Sequence, residues 1–294
     1  MSKKDLNGDI LEGALQKFWY FFQCLRNHQK GDAEAIYLLG PNLLCEGLDL
    51  SDLSPSRALC NCFWRSINYA HLERELGSKL HFLDLGCGNG KYGLFLKNWS
   101  SSSFGSYTGI DIYKNNDFPQ IFEHHTAKAE DAHMFVNKST NVIISQSALE
   151  HVENDIEALE LLTRKLSLTN KNFVQIHLVP ASASLWLYLF HGWRQYSRKN
   201  LGAFAKRLGE IEGLKVSAVP LGGLFSFWTH FRHITLRRIF NKLTQKKIYT
   251  NKEKNFSEII ISSVTKELNC RNRLPSFWAF IVHGEDHVIN FHEE

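Results

Sequence analysis

The chain lacks a long apolar run. Its longest apolar patch, Leu185–Phe190, falls far short of the ~20 residues that cross a bilayer. The N-terminal MSKKDLNGD has no apolar signal region, so the expectation is a soluble, cytoplasmic protein. A cysteine framework is also missing. Cys24, Cys45, Cys60, Cys62, Cys87 and Cys270 form no CxxC pair. That argues against a disulfide scaffold or a zinc ribbon and for thiols in a reducing cytosol. Charge of one sign is missing too. A net charge of +4 over 294 residues is too mild to argue for nucleic acid. Only Arg194–Arg198 and Arg232–Lys254 lean basic. There is no internal repeat, no low-complexity tract and no Asn/Asp-Pro-Pro-aromatic motif of the kind that serves base amines.

What is present suits a packed core. Hydrophobic residues make up 44% of the chain and aromatics 13%, and large rings bury much area each. Residues 1–79 read as a helical N-terminal region. FWYFFQCL (18–25) is apolar all round, which predicts a buried segment. Gly40-Pro41 and Ser54-Pro55 break the chain, Ser56–Leu76 reads as one helix, and Gly77-Ser78 ends it. From residue 80 strands and helices alternate. HFLDL (81–85), YTGIDI (107–112), HHTA (124–127), NVIISQS (141–147) and NFVQIHLV (172–179) read as strands. Helices are expected from Lys91 to Trp99 and from Asp155 to Leu168. This alternation implies a Rossmann-like, doubly wound α/β sheet, mostly parallel. LKVSAV (214–219) and FWAFIVH (277–283) can pair as its antiparallel edge. Residues 80–294 then form one core, with 181–212 and 223–274 as insertions.

The sharpest local feature is Asp84-Leu85-Gly86-Cys87-Gly88-Asn89-Gly90, at the end of the first strand. Glycines there allow a tight turn and close approach of a ligand, and the next helix presents free N–H groups. Gly88, Gly90 and Gly93 also spell the GxGxxG dinucleotide fingerprint. Asp84 argues against that reading, because a carboxylate repels a pyrophosphate but suits a cationic ligand. Asp111 ends the second strand, 27 residues after Asp84, where an acid accepts from ribose hydroxyls.

The glycine string resembles the DxGxGxG signature of class I S-adenosylmethionine-dependent methyltransferases. SQSALEHV (145–152) resembles the ALEHV stretch of many small-molecule members. The resemblance covers roughly residues 80–180. It implies S-adenosylmethionine as cofactor, held by Asp84, Gly86, Cys87, Gly88 and Gly90, with Asp111 on the ribose and Ile112 against the adenine. Glu130 or Asp131 would accept from the adenine amino group, although Lys128 stands where the family often has an acid. Gln146 and Ser147 would lie near the methionine part, and His151 is a candidate pocket residue. If the N-terminal helices cap the cofactor, Phe63, Trp64 and Tyr69 reach it.

Methyl transfer from a sulfonium is an in-line displacement, so the protein must align the reactants and exclude water. A hydroxyl nucleophile also gains from a general base. The candidates are His151, His177 and His191. Glu150, His151 and His177 do not form an HExxH helix, and no metal is expected. The aromatic segment 180–197 reads as a substrate lid, with Arg194 and Tyr196 as acceptor-binding residues; within it Trp186 and Leu187 are expected to be buried. FSFWTHFRHITLRRIF (225–240) alternates apolar and basic residues, as a packed helix or a peripheral membrane contact would. The looser resemblance of the lid is to methyltransferases of surface-polysaccharide clusters. The leading expectation is O-methylation of a sugar, a lipid-linked glycan or another small hydroxylated acceptor. The alternatives are an RNA methyltransferase, a non-catalytic S-adenosylmethionine-binding module and a dinucleotide oxidoreductase.

Overall fold

Short β-branched and apolar runs bounded by glycine or polar turns form buried parallel strands when helices cover both faces. The computed structural model describes residues 6–40, 42–45, 47–48, 53–244, 256–268, 274–284 and 289–291. The first five residues, Pro41, Cys270 and the 245–254 part of the basic stretch lie outside them. The strands are β1 (Tyr37–Leu38), β2 (Leu80–Leu85), β3 (Phe104–Asp111), β4 (Glu123–Thr126), β5 (Val142–Gln146), β6 (Val174–Pro180), β7 (Leu214–Leu221) and β8 (Phe277–Gly284). They form one sheet in the order β1-β7-β8-β6-β5-β2-β3-β4. Pairing is parallel except where β8 runs antiparallel to β6 and β7. The two C-terminal strands thus pair as expected, and β1 of the N-terminal region adds the edge beyond them.

Side chains alternate across the strands and feed two cores. Leu83, Leu85, Ile143, Phe280 and Val282 join one, against α5 (Asp155–Thr169) and α7 (Arg198–Leu208). Phe82, Val142, Ile144, Ala279 and Ile281 join the other, against α2 (Pro55–Ser66), α3 (Tyr69–Leu76) and α4 (Lys91–Ser100). The expected single helix over 56–76 is therefore two. Asn68 Oδ1 accepts from His71 N at 2.9 Å and caps a fresh start, and Gly77 in the left-handed region ends it.

Two other expectations change. In α1 (Ala14–Asn27) only Tyr20 and Cys24 are buried. Phe18 is 64% exposed, and Trp19, Phe22 and Leu25 also face outward. The helix docks by one face on Leu185 and Phe190, so its second apolar face meets no partner among the described residues. Cys45 and Cys62 are disulfide-bonded, 17 residues apart with Cα atoms 4.8 Å apart. The pairing is a tertiary contact that spacing alone does not encode. Cys24, Cys60 and Cys87 are free and buried. The basic-aromatic stretch is helical: α8 (Leu224–His230), a π turn (Phe231–Thr235) and α9 (Leu236–Thr244). No helix among the described residues is long and apolar enough to cross a membrane.

Candidate active site

The site lies at the carboxyl ends of β2, β3, β5 and β6. There the strand order reverses between β2 and β5, which is where open α/β sheets bind ligands. After β2 the backbone turns at Gly86 (φ +71°), and the N–H groups of Gly86 and Cys87 donate to Ile110 O at 2.8 and 3.1 Å. A Cβ on Gly86 would lie 2.5 Å from Ala148 Cβ. Asp84 beneath the turn is buried. Its Oδ2 accepts from Tyr107 Oη, and its Oδ1 has no hydrogen-bond partner. Burial lifts its carboxyl to about 7, against the stabilising Tyr107 bond. Asp111 accepts from Gly88 N at 2.8 Å and from Tyr113 N at 3.3 Å. A cavity of about 440 Å³ opens over these groups, lined by Gly86, Asp111, Ile112, Lys128, Glu130 and Ser147 among others.

Ser147 follows β5 with φ +55°, a region that L side chains enter at a cost and that clusters at functional sites. Its buried Oγ has no hydrogen-bond partner. Ser147 and His151 line the first cavity and also a second one of about 450 Å³. The second cavity includes Arg57, Glu150, Tyr188, His191 and Arg238. Between the histidines stands Asp9. Its Oδ2 is 2.9 Å from His151 Nδ1, and its Oδ1 is 3.2 Å from His191 Nδ1. Asp9 is held there because Gly8 N donates to Gly192 O at 2.6 Å and Gly192 N donates to Asp9 Oδ2 at 3.1 Å. His191 Nε2 lies 3.8 Å from Glu150 Oε1. Glu150 is fully buried, and neither carboxylate oxygen has a hydrogen-bond partner. The Glu150 carboxylate at that distance is the main cause that raises the pKa of His191, with burial opposing it and Asp9 adding to it. Ligand atoms of Asp9, His151 and His191 lie within 4.8 Å of one another, a donor set that can share a proton or hold a cation.

Of the residues expected to hold the cofactor, Gly86, Asp111, Ile112, Glu130 and Ser147 line the first cavity together with His151. Asp84, Gly88 and Gly90 build the turn beneath it. Asp131 is not among the lining residues. The Cys87 side chain is buried, and a Cβ on Gly109 would lie 2.6 Å from its sulfur. Gln146 Oε1 accepts from Trp64 Nε1 at 2.9 Å, so the N-terminal helices reach the edge of the site through Trp64. Three residues fall elsewhere. His177 is fully buried, contacts Ser145 Oγ at 2.9 Å through Nδ1 and lines neither cavity. Burial lowers its pKa to about 3. Arg194 and Tyr196 also line neither cavity. Arg194 Nη1 donates to Asp155 Oδ1 at 2.7 Å, and Tyr196 Oη donates to Asp155 Oδ2 at 2.6 Å. They brace the start of α5, because a buried carboxylate must be paired. In the same segment Leu187 is buried, but Trp186 is 51% exposed. Sequence reasoning did not name Asp9, Arg57, Arg238 or Trp193; Arg238 and Trp193 sit in the 225–240 and 180–197 stretches it singled out, while Asp9 and Arg57 carry no local motif and are brought in by tertiary contacts.

The first cavity fits the expected cofactor on its own geometry. Ser147, whose hydroxyl is unpartnered, lines it; Asp84, with one unpartnered oxygen, lies two residues before the lining Gly86; and Asp111 keeps lone pairs for ribose hydroxyls. No curated protein matches the chain. Among solved structures it is similar to the plantazolicin methyltransferase BamL, crystallised with a triazolic desmethylPZN analog and SAH. That pair shares 15% identity, covers 79% of this chain and 86% of the other, and has a TM-score of 0.46. It is also similar to a SAM dependent methyltransferase from Archaeoglobus fulgidus, at 19% identity over 74% and 94% of the two chains, with a TM-score of 0.41. Residues 59–208, just over half of the chain, match the methyltransferase domain family. The glycine turn, Asp111, Ser147 and His151 all fall inside that span, and the chain belongs to this family as an S-adenosylmethionine-dependent methyltransferase.

Proposed function

We propose that the enzyme methylates a hydroxyl group of a sugar, a lipid-linked glycan or another small hydroxylated acceptor, with His151 as general base. The observation that carries this reading is the position of His151. It lies where the two cavities meet, and its Nδ1 is engaged by Asp9 at 2.9 Å. A carboxylate at Nδ1 fixes the tautomer that leaves Nε2 as acceptor. S-adenosylmethionine, when bound, supplies an electrophilic methyl group. The protein aligns the acceptor hydroxyl and excludes water with Tyr188, Phe190 and Phe277. His151 Nε2 takes the hydroxyl proton. His191 and Glu150 back the pair and hold that proton's charge close to two carboxylates.

Asp84, Gly86, Cys87, Gly88 and Gly90 are proposed to form the cofactor turn, with Asp111 and Ile112 at the ribose and adenine. Glu130 and Asp131 are assigned to the adenine side, and Gln146 and Ser147 to the methionine side. A lipid-linked acceptor is supported by outward-facing Leu224, Phe225, Trp228 and Phe240 on the helical stretch that carries Arg238 into the second cavity. The test is transfer of a labelled methyl group to a panel of sugars, glycolipids and simple phenols. O-methyl products that vanish in His151→Ala support the reading. N-methyl products, or unchanged turnover in that variant, overturn it.

A further inference from the structure

Among the described residues, the second cavity contains two cations without an ionic partner. Arg57 rises from α2, half-buried, and among the described residues its guanidinium makes one long hydrogen bond, Nη1 to Tyr92 Oη at 3.4 Å. Tyr92 in turn donates to Asn61 Oδ1 at 2.8 Å, so a neutral relay holds the guanidinium. Arg238 reaches the same cavity from α9. Among the described residues, neither arginine forms an ion pair. This contrasts with Arg194, which is neutralised by Asp155 at 2.7 Å. The partly desolvated Arg57 guanidinium is costly unless an anion meets it, and the planar fork of either arginine matches the oxygens of phosphate and carboxylate.

Glu150, His151 and His191 line the same cavity, together with Ser147; His151 and Ser147 also line the first cavity. Arg57 and Arg238 line only the second cavity. Tyr188, Phe190 and Phe277 supply aromatic wall. We propose that the acceptor is an anion: a hydroxylated molecule whose phosphate or carboxylate is gripped by Arg57 and Arg238 while its hydroxyl faces His151. The arginines are binding residues and take no part in the proton transfer. This rests on the assignment of the second cavity to the acceptor.

The experiment is calorimetric titration of the full-length protein, saturated with S-adenosylhomocysteine, using phenyl phosphate, benzoate and phenol. At least one of the two anions should bind ten times or more tighter than phenol, and the stronger of them identifies the oxyanion. Arg57→Gln and Arg238→Gln should each remove most of that preference, and Arg57→Lys, which keeps charge but loses the fork, should restore part of it. Unchanged S-adenosylhomocysteine affinity certifies each variant as folded. Arg238→Gln, on an exposed position of α9, keeps the test usable if Arg57→Gln does not fold. Equal binding of phenol and both anions, or a preference that survives in both variants, overturns the proposal. Failure of the hydroxyl reading is separate: it shows as full turnover in His151→Ala and leaves anion binding unaffected.

Discussion

Asp9 Oδ2 lies 2.9 Å from His151 Nδ1, although 142 positions separate them. A carboxylate at one ring nitrogen orients the imidazole and stabilises its charged form after proton uptake. The same carboxylate reaches His191 Nδ1 at 3.2 Å, so one acid organises two histidines that both line the second cavity.

His151→Ala is therefore expected to lower kcat by about 10²–10⁴-fold, the range of general-base contributions. Asp9→Asn should lower it less, by roughly tenfold or more, because the ring keeps its place but loses its counter-charge. Cofactor affinity should stay within about twofold in both. Chelator should leave turnover unchanged if the trio works with protons. Single-turnover assays with and without EDTA check all of this, and a chelator-sensitive rate restored by divalent cation would replace the proton role with a metal site.

Asp111→Ala should weaken S-adenosylmethionine binding by about 1.5–3 kcal/mol, the worth of hydrogen bonds to a charged group. Gly86→Val should abolish binding, because the added side chain meets Ala148 and must adopt φ +71°. Calorimetry against S-adenosylmethionine and NAD reads both, and native affinity in either variant would misplace the cofactor.

Asp84 makes a pH-dependent prediction. Burial lifts its carboxyl to about 7, so the free protein loses stability as pH rises from the usual aspartate range through 7. The unfolded chain ionises in that window while the folded one resists. Asp84→Asn should raise Tm by a few degrees at about pH 8, with little change at about pH 4. It should also weaken binding of the cationic cofactor. Thermal melts across pH, with and without cofactor, distinguish this from simple loss of a contact.

His191 behaves in the opposite sense. Glu150 is the first cause of its raised pKa. The extra stability from the charged imidazole is full below the unfolded value of 6.5. It is lost as pH rises through the higher folded value. Glu150→Gln should flatten that fall in Tm as pH rises above 6.5. An unchanged profile would mean that Glu150 does not hold the proton on His191.

The cofactor half of the site was legible because its chemistry is local. A strand, a glycine turn and an acid one βαβ unit later follow one another in the chain, and Gly86 and Asp111 line one cavity. The Arg194–Tyr196 segment had a suggestive composition, yet it serves Asp155, because a buried carboxylate claims the nearest cation and hydroxyl. α1 read as buried from its aromatics, but a helix docks by one face, and composition does not say whether anything covers the other.

The sequence by itself determined the α/β alternation, the glycine turn and the aspartate after the second strand, since each depends on backbone geometry over a few residues. Only the tertiary structure decided that His151 and His191 line one cavity, that Asp9 contacts both and that Arg57 and Arg238 share that cavity. It also decided that Cys45 bonds Cys62. Those pairings depend on how helices pack across the sheet, and packing is set by the whole chain.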